Sequence, residues 1–128
     1  MDSPTNRDES VTVVNETDAQ LLAVEFETMP FTVRRVFVVS SHGNSVKRGN
    51  HVAGCNQMLI LLSGSVSIDL TRVGKDVSNI HLQEVGSSVL IQPGDFVTYE
   101  LLDANSQVLV LADQTYAESF ANRERKNK

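Results

Sequence analysis

One short stretch of this sequence holds most of the residues able to do chemistry: Arg48-Gly49-Asn50-His51, followed at close range by Cys55 and Gln57. An imidazole whose ordinary pKa lies near 6.5 is neutral yet readily protonated at cellular pH, so His51 suits a proton taken from one atom and returned to another. A catalytic transition-metal site asks for three ligands drawn from imidazole, carboxylate and thiolate. The neighbourhood of His51 offers one imidazole and the thiol of Cys55, so neither a metal nor another cofactor is expected. Asn50, Gln57, Thr98 and Tyr99 are the candidate donors for a developing oxyanion, and Arg34, Arg35 and Arg48 supply cations. Neighbours on a strand point oppositely, so one of Arg34 and Arg35 faces the cleft and the other faces away.

The elements that must position these groups read as strands. Apolar runs at 11–14, 21–26, 31–39, 58–62, 66–70, 80–85, 88–91, 96–102 and 108–112 are rich in Val, Ile and Leu and are separated by turn residues. Residues 66–70 alternate apolar and polar, whereas 58–62 is apolar throughout, which places it in the middle of the structure with both faces covered. Glycines at 64, 74, 86 and 94 mark turns. So many short strands need closure to remove exposed edges, and an all-β jelly-roll barrel is the simplest solution. The expected division is a disordered leader over 1–10 that adds nothing to the core, a barrel over 11–116, and a tail or short helix over 117–128.

Length and charge narrow the function. At 128 residues there is room for one domain, and a net charge of −5 disfavours nucleic acid. The dense basic run at 123–128 reads as a solvated tail. No apolar run approaches the roughly 20 residues that cross a bilayer, so no membrane partner is expected. A single cysteine forms no internal disulfide, and a cytoplasmic location is expected.

The spacing around His51 resembles the first signature motif of the cupin superfamily, with Gly49 before His51, Ala53 at the second histidine position, Gln57 at the glutamate position and Gly64 closing the strand. Gly86 and Pro93-Gly94 echo the second motif, with Val97 and Thr98 near its histidine position. More specifically, over residues 18–120 the chain resembles the dTDP-4-keto-6-deoxyglucose 3,4-ketoisomerases. The matching pieces are 21–25, the Met29-Pro30-Phe31 to Phe37 segment, Arg48-Gly49-Asn50-His51, Gln57 to Val66, and 108–112 with Tyr116 and Glu118. The resemblance implies an RmlC-like cupin barrel, a dTDP-linked keto sugar as ligand, and a homodimer, with strand exchange by 11–14. It implies proton transfer through an enediol at a metal-free site, with His51 as the shuttle and Tyr99 in place of a missing tyrosine. Arg35 and Arg48 would hold the diphosphate, and Asn50, Gln57, Thr98 and Glu100 would touch the substrate. Against the family's pattern the chain has Ala53 for the second histidine and Phe37 for a tyrosine, and it is one residue shorter between His51 and Gln57.

Plainer roles exist for the same residues. His51 beside a glycine turn is also what a solvent-facing loop looks like, and His42 and His81 read as surface residues. Arg34 and Arg35 also suit the protection of a strand edge by charge. Tyr99 with Glu100 could cap the barrel mouth, and Gln57 could satisfy buried backbone groups. Three functions are therefore carried forward: the ketoisomerase, a non-catalytic cupin that binds a nucleotide sugar or a partner protein, and an isomerase or epimerase for another keto sugar.

Overall fold

The computed structural model describes residues 7–43 and 46–119. Turn residues divide them into strands β1 (Val11–Asn15), β2 (Gln20–Val24), β3 (Arg35–Ser40), β4 (Val46–Val52), β5 (Gln57–Ser63), β6 (Val66–Thr71), β7 (Val77–Leu82), β8 (Ser88–Ile91), β9 (Phe96–Leu101) and β10 (Gln107–Ala112). Eight of these form two four-stranded antiparallel sheets, ordered β3-β10-β5-β8 and β4-β9-β6-β7, while β1 and β2 pair as a separate hairpin. From β3 to β10 the chain passes repeatedly from one sheet to the other. This is the jelly-roll winding expected of a cupin-type barrel.

Alternation decides which side chains fill the space between the sheets. Val66, Ile68 and Leu70 turn inward and are buried, while Asp69 is exposed. They join Leu59, Leu61, Val97, Tyr99, Leu101, Val108 and Val110 in the main core. A second core lies on the other face of β5, where Met58 and Ile60 pack with Leu111, Val11 and Met29 beneath the β1–β2 hairpin. Both faces of β5 are thus covered, which accounts for its uninterrupted apolar run.

The strands differ from the apolar runs in several places. Strand β4 has no counterpart among them, because its sequence Val-Lys-Arg-Gly-Asn-His-Val is mostly polar. Strand β3 begins only at Arg35, although the Arg34 N–H still donates to the Ala112 carbonyl at 2.7 Å. Residues Phe26–Thr28 leave β2 as a short 3-10 turn. Strand β7 starts at Val77 and ends at Leu82, short of the expected 85.

Residues 7–10, expected to add nothing to the core, form a turn that docks on the barrel. The Asp8 N–H donates to Ser88 Oγ at 2.9 Å, the Asp8 carboxylate accepts from the Ser10 N–H at 3.0 Å, and Ser10 is fully buried. Residues 116–119 are helical. The rest of the leader, 1–6, and the tail with its basic run, 120–128, lie outside the described residues. Among the described residues no helix is long and apolar enough to cross a membrane.

Candidate active site

Strand β4 is an edge strand, paired only with β9. Arg48 lies opposite Tyr99 and Gly49 opposite Thr98, but the next partner of β9, Val97, faces His51. Asn50 is therefore an extra residue, a β-bulge, and both Gly49 (φ 89°) and Asn50 (φ 65°) adopt left-handed backbone. A Cβ at Gly49 would sit 2.7 Å from the Val97 carbonyl oxygen, so only glycine fits, and asparagine is among the few residues that tolerate the conformation that follows. On a regular strand, residues three apart point to opposite faces. The bulge cancels that, so Arg48 and His51 share the face of Tyr99 and Val97, which points between the sheets.

The cleft at this edge has two chambers. An inner one of about 310 Å³ is walled by Arg35 and Phe37 of β3, by Gln57, Val97 and Tyr99, and by Ser119. An outer groove of about 640 Å³ runs past Lys47, Asn50 and Thr98. Arg48, Gly49, His51 and Tyr116 border both, so the imidazole stands where the two meet.

Within the inner chamber, burial pushes the Tyr99 phenol above its usual range, and the nearby Arg48 guanidinium, which also hydrogen-bonds it, opposes that shift. The Arg35 guanidinium carbon lies 4.9 Å from the centre of the Phe37 ring and 5.6 Å from that of Tyr116. Beneath them the Cys55 thiol donates to Ser119 Oγ at 3.4 Å, and Gln57 Nε2 donates to Cys55 Sγ at 3.7 Å.

The helical residues over the mouth start from a capping box. The Thr115 N–H donates to Glu118 Oε1 at 3.0 Å, and the Glu118 N–H donates to Thr115 Oγ1 at 3.3 Å. Arg34 Nη1 adds a 3.2 Å bond to the same carboxylate oxygen. The Thr115 backbone bond first, and then Arg34, hold the Glu118 carboxyl below its usual pKa.

Of the expected site residues, His51, Arg48, Arg35, Gln57 and Tyr99 meet in the inner chamber. Asn50 and Thr98 reach only the outer groove. Glu100 borders neither chamber. It lies on the outward face of β9 between Lys47 and Ser67, because its neighbours Tyr99 and Leu101 point inward. Ala53 is buried in the main core, its backbone bonded to Gly94 and Asp95. His42 and His81 are exposed. Lys47, Phe37, Tyr116 and Ser119 complete the site without having been singled out for a role there. Cys55 faces Gln57 and Ser119, and among the described residues no three His, Cys, Asp or Glu side chains gather as a metal ion requires.

A family model described as FdtA: WxcM-like, C-terminal, matches residues 7–126. Similar solved structures include the WlaRB TDP-quinovose 3,4-ketoisomerase from Campylobacter jejuni, with 26% identity, a TM-score of 0.72, and coverage of 84% of this chain and 83% of that one. Another is a histidine-to-asparagine variant of the 3,4-ketoisomerase QdtA from Thermoanaerobacterium thermosaccharolyticum, in complex with TDP-4-keto-6-deoxyglucose. It has 24% identity and a TM-score of 0.74, covering 84% of this chain and 78% of that one. A 3,4-ketoisomerase from Helicobacter canadensis has 21% identity and a TM-score of 0.72, covering 93% of this chain and 95% of that one. No curated protein sequence matches.

Two predictions test the geometry. Gly49→Ala should lower stability by about 2 kcal/mol or more, through contact with Val97 and left-handed strain, whereas Asn50→Gly should stay within about 0.5 kcal/mol of the parent. Urea unfolding checks both; a neutral Gly49→Ala would contradict the bulge. Tyr99 should ionise above the ordinary tyrosine range in a Tyr116→Phe background, where it is the single tyrosine. Arg48→Met should move it higher still, because both effects of Arg48 pull it down. With the folded pKa raised, the stabilisation tied to the neutral phenol is complete below about pH 10 and is lost as pH rises through the folded value. Ultraviolet titration reads the ionisation directly, and a normal value or a fall in Arg48→Met would refute this account.

Proposed function

The chain belongs to the FdtA family, WxcM-like, C-terminal, and on that premise we propose that it is a 3,4-ketoisomerase of a dTDP-linked 4-keto-6-deoxyhexose. The observation that carries this reading is the bulge-made pairing of His51 with Arg48 at the junction of the inner chamber and a cationic groove. The inner chamber suits a hexose with few polar groups. The outer groove, flanked by Lys47 and Arg48, suits a diphosphate.

In the reaction, His51 takes the C3 proton, and the C3–H electron pair forms the C3–C4 double bond of an enediol. Returning that proton from His51 to C4, with the C3 hydroxyl proton passed to the C4 oxygen, leaves a 3-keto sugar. The carbonyl has migrated without any external oxidant or reductant. Tyr99, held protonated, and Gln57 are donors for the oxygens that gain charge. No step calls for a metal or cofactor, and a cytoplasmic location is part of the same reading. The non-catalytic alternative draws on two residues: Ala53, sequestered in the core, and Phe37, which brings a ring without a hydroxyl to the chamber.

The protein is also read as a homodimer. Val36 and Val38 on the outer face of β3 are 52% and 50% exposed, and Leu21 and Phe26 are 53% and 56% exposed, bare apolar surface that a second copy would cover.

Two outcomes are expected. Incubated with dTDP-4-keto-6-deoxyglucose in deuterated water, the protein should exchange the C3 proton, and His51→Ala should abolish that exchange. Saturable dTDP binding with no exchange at any pH near neutrality would favour the non-catalytic reading instead. Light scattering should give twice the 14.1 kDa chain mass, and a monomer at micromolar concentration would remove the dimer.

A further inference from the structure

We propose that Arg35 does not hold the diphosphate but is a catalytic residue that donates hydrogen bonds to the sugar oxygen that becomes negative as the carbonyl migrates. This deepens the ketoisomerase reading and rests on it. The division of the cleft separates the two arginines that the sequence grouped together. Arg48 borders both chambers, but Arg35 borders only the inner one and has no part in the outer groove with Lys47. A diphosphate linked to a nucleoside needs the open groove, where water and two cations compensate its charge. The inner chamber, walled by Phe37, Val97 and Tyr99, is left for the sugar.

The surroundings of Arg35 add a second argument. Its guanidinium carbon lies over the Phe37 and Tyr116 rings, and these contacts use the charge of the group but none of its N–H donors in a hydrogen bond. Among those donors, Nε is buried and has no hydrogen-bond partner among the described residues. A buried donor left unmatched is costly unless an entering ligand supplies the acceptor. Phe37, two residues along on the same face of β3, has no hydroxyl to offer. Arg35 is therefore the donor that β3 presents to the chamber.

The step balances within the substrate. As the C3 proton passes to His51, the C3–H pair becomes the C3–C4 double bond, and the carbonyl π pair moves onto the C4 oxygen. Arg35 donates to that oxyanion. When His51 delivers the proton to C4, the C3–C4 π pair becomes the C4–H bond, the C3 hydroxyl passes its proton to the C4 oxyanion, and the O–H pair it leaves behind forms the new C3 carbonyl.

Calorimetric titration with dTDP, which carries no sugar, combined with the C3 exchange assay, separates the roles. Arg35→Gln should bind dTDP within about twofold of the parent while its exchange rate falls about 100-fold or more, the usual cost of losing an oxyanion donor. Arg48→Gln should instead weaken dTDP by tenfold or more. Arg35→Lys, which keeps the charge but loses the planar fork, should bind dTDP normally and still exchange slowly. Tenfold weaker dTDP binding in both Arg35 variants, or exchange within a few fold of the parent in either, would overturn the proposal. A parent protein that neither binds dTDP nor exchanges would defeat the ketoisomerase reading itself, and this proposal with it.

Discussion

Side chains on a β-strand alternate between two faces, and β4 departs from that rule at one residue, Asn50. The pairing of Arg48 with His51 in the cleft depends on the departure. Without it Arg48 and His51 would point to opposite sides of their sheet, and one of them would leave the interior. The position of the bulge is as important as its presence. Strand β4 has a single neighbour, so the irregularity breaks one ladder and leaves the pairing of β9 with β6 intact. Val97 and Tyr99 are thereby held by one strand while the residues opposite them are re-aimed.

That arrangement separates the work of folding from the work of the site. Leu59 and Leu61 bury themselves in the main core, Met58 and Ile60 in the second, and full burial of such side chains contributes about 1.5–3 kcal/mol each. These groups lie on a strand in the interior of its sheet, whereas the chamber's cationic and titratable groups come largely from the edge strands β3 and β4. Tyr99 belongs to both sets. Its ring is a core member, and its hydroxyl meets the one cation that borders both chambers. The cost of burying a phenol is offset in part by the neighbouring guanidinium.

How much of this was readable in the sequence depends on what kind of signal each part leaves. The alternation of 66–70 and the unbroken apolar run at 58–62 state their burial directly, since side-chain chemistry and strand period coincide there. Strand β4 leaves no such trace. Its residues are polar, its period is broken, and only the resemblance around His51 drew attention to it. Glu100 is a different case, because Val97, Tyr99 and Leu101 set the inward parity of β9, and the same alternation would have sent Thr98 and Glu100 outward. The convergence of Phe37 with Tyr116 is set by folding alone. The two lie far apart in sequence, and nothing local in either segment records that an arginine will stand against both rings.

Arg34 and Arg35 are consecutive, and they grip the short C-terminal helical segment from different directions. The first bonds Glu118, the acid of its capping box; the second lies over the ring of Tyr116. The rim of the cleft and the piece that covers it are thus clamped together by adjacent links of one strand. A rim already joined to its cover leaves an entering ligand less to order, so less of its interaction energy is spent on arranging the walls it meets.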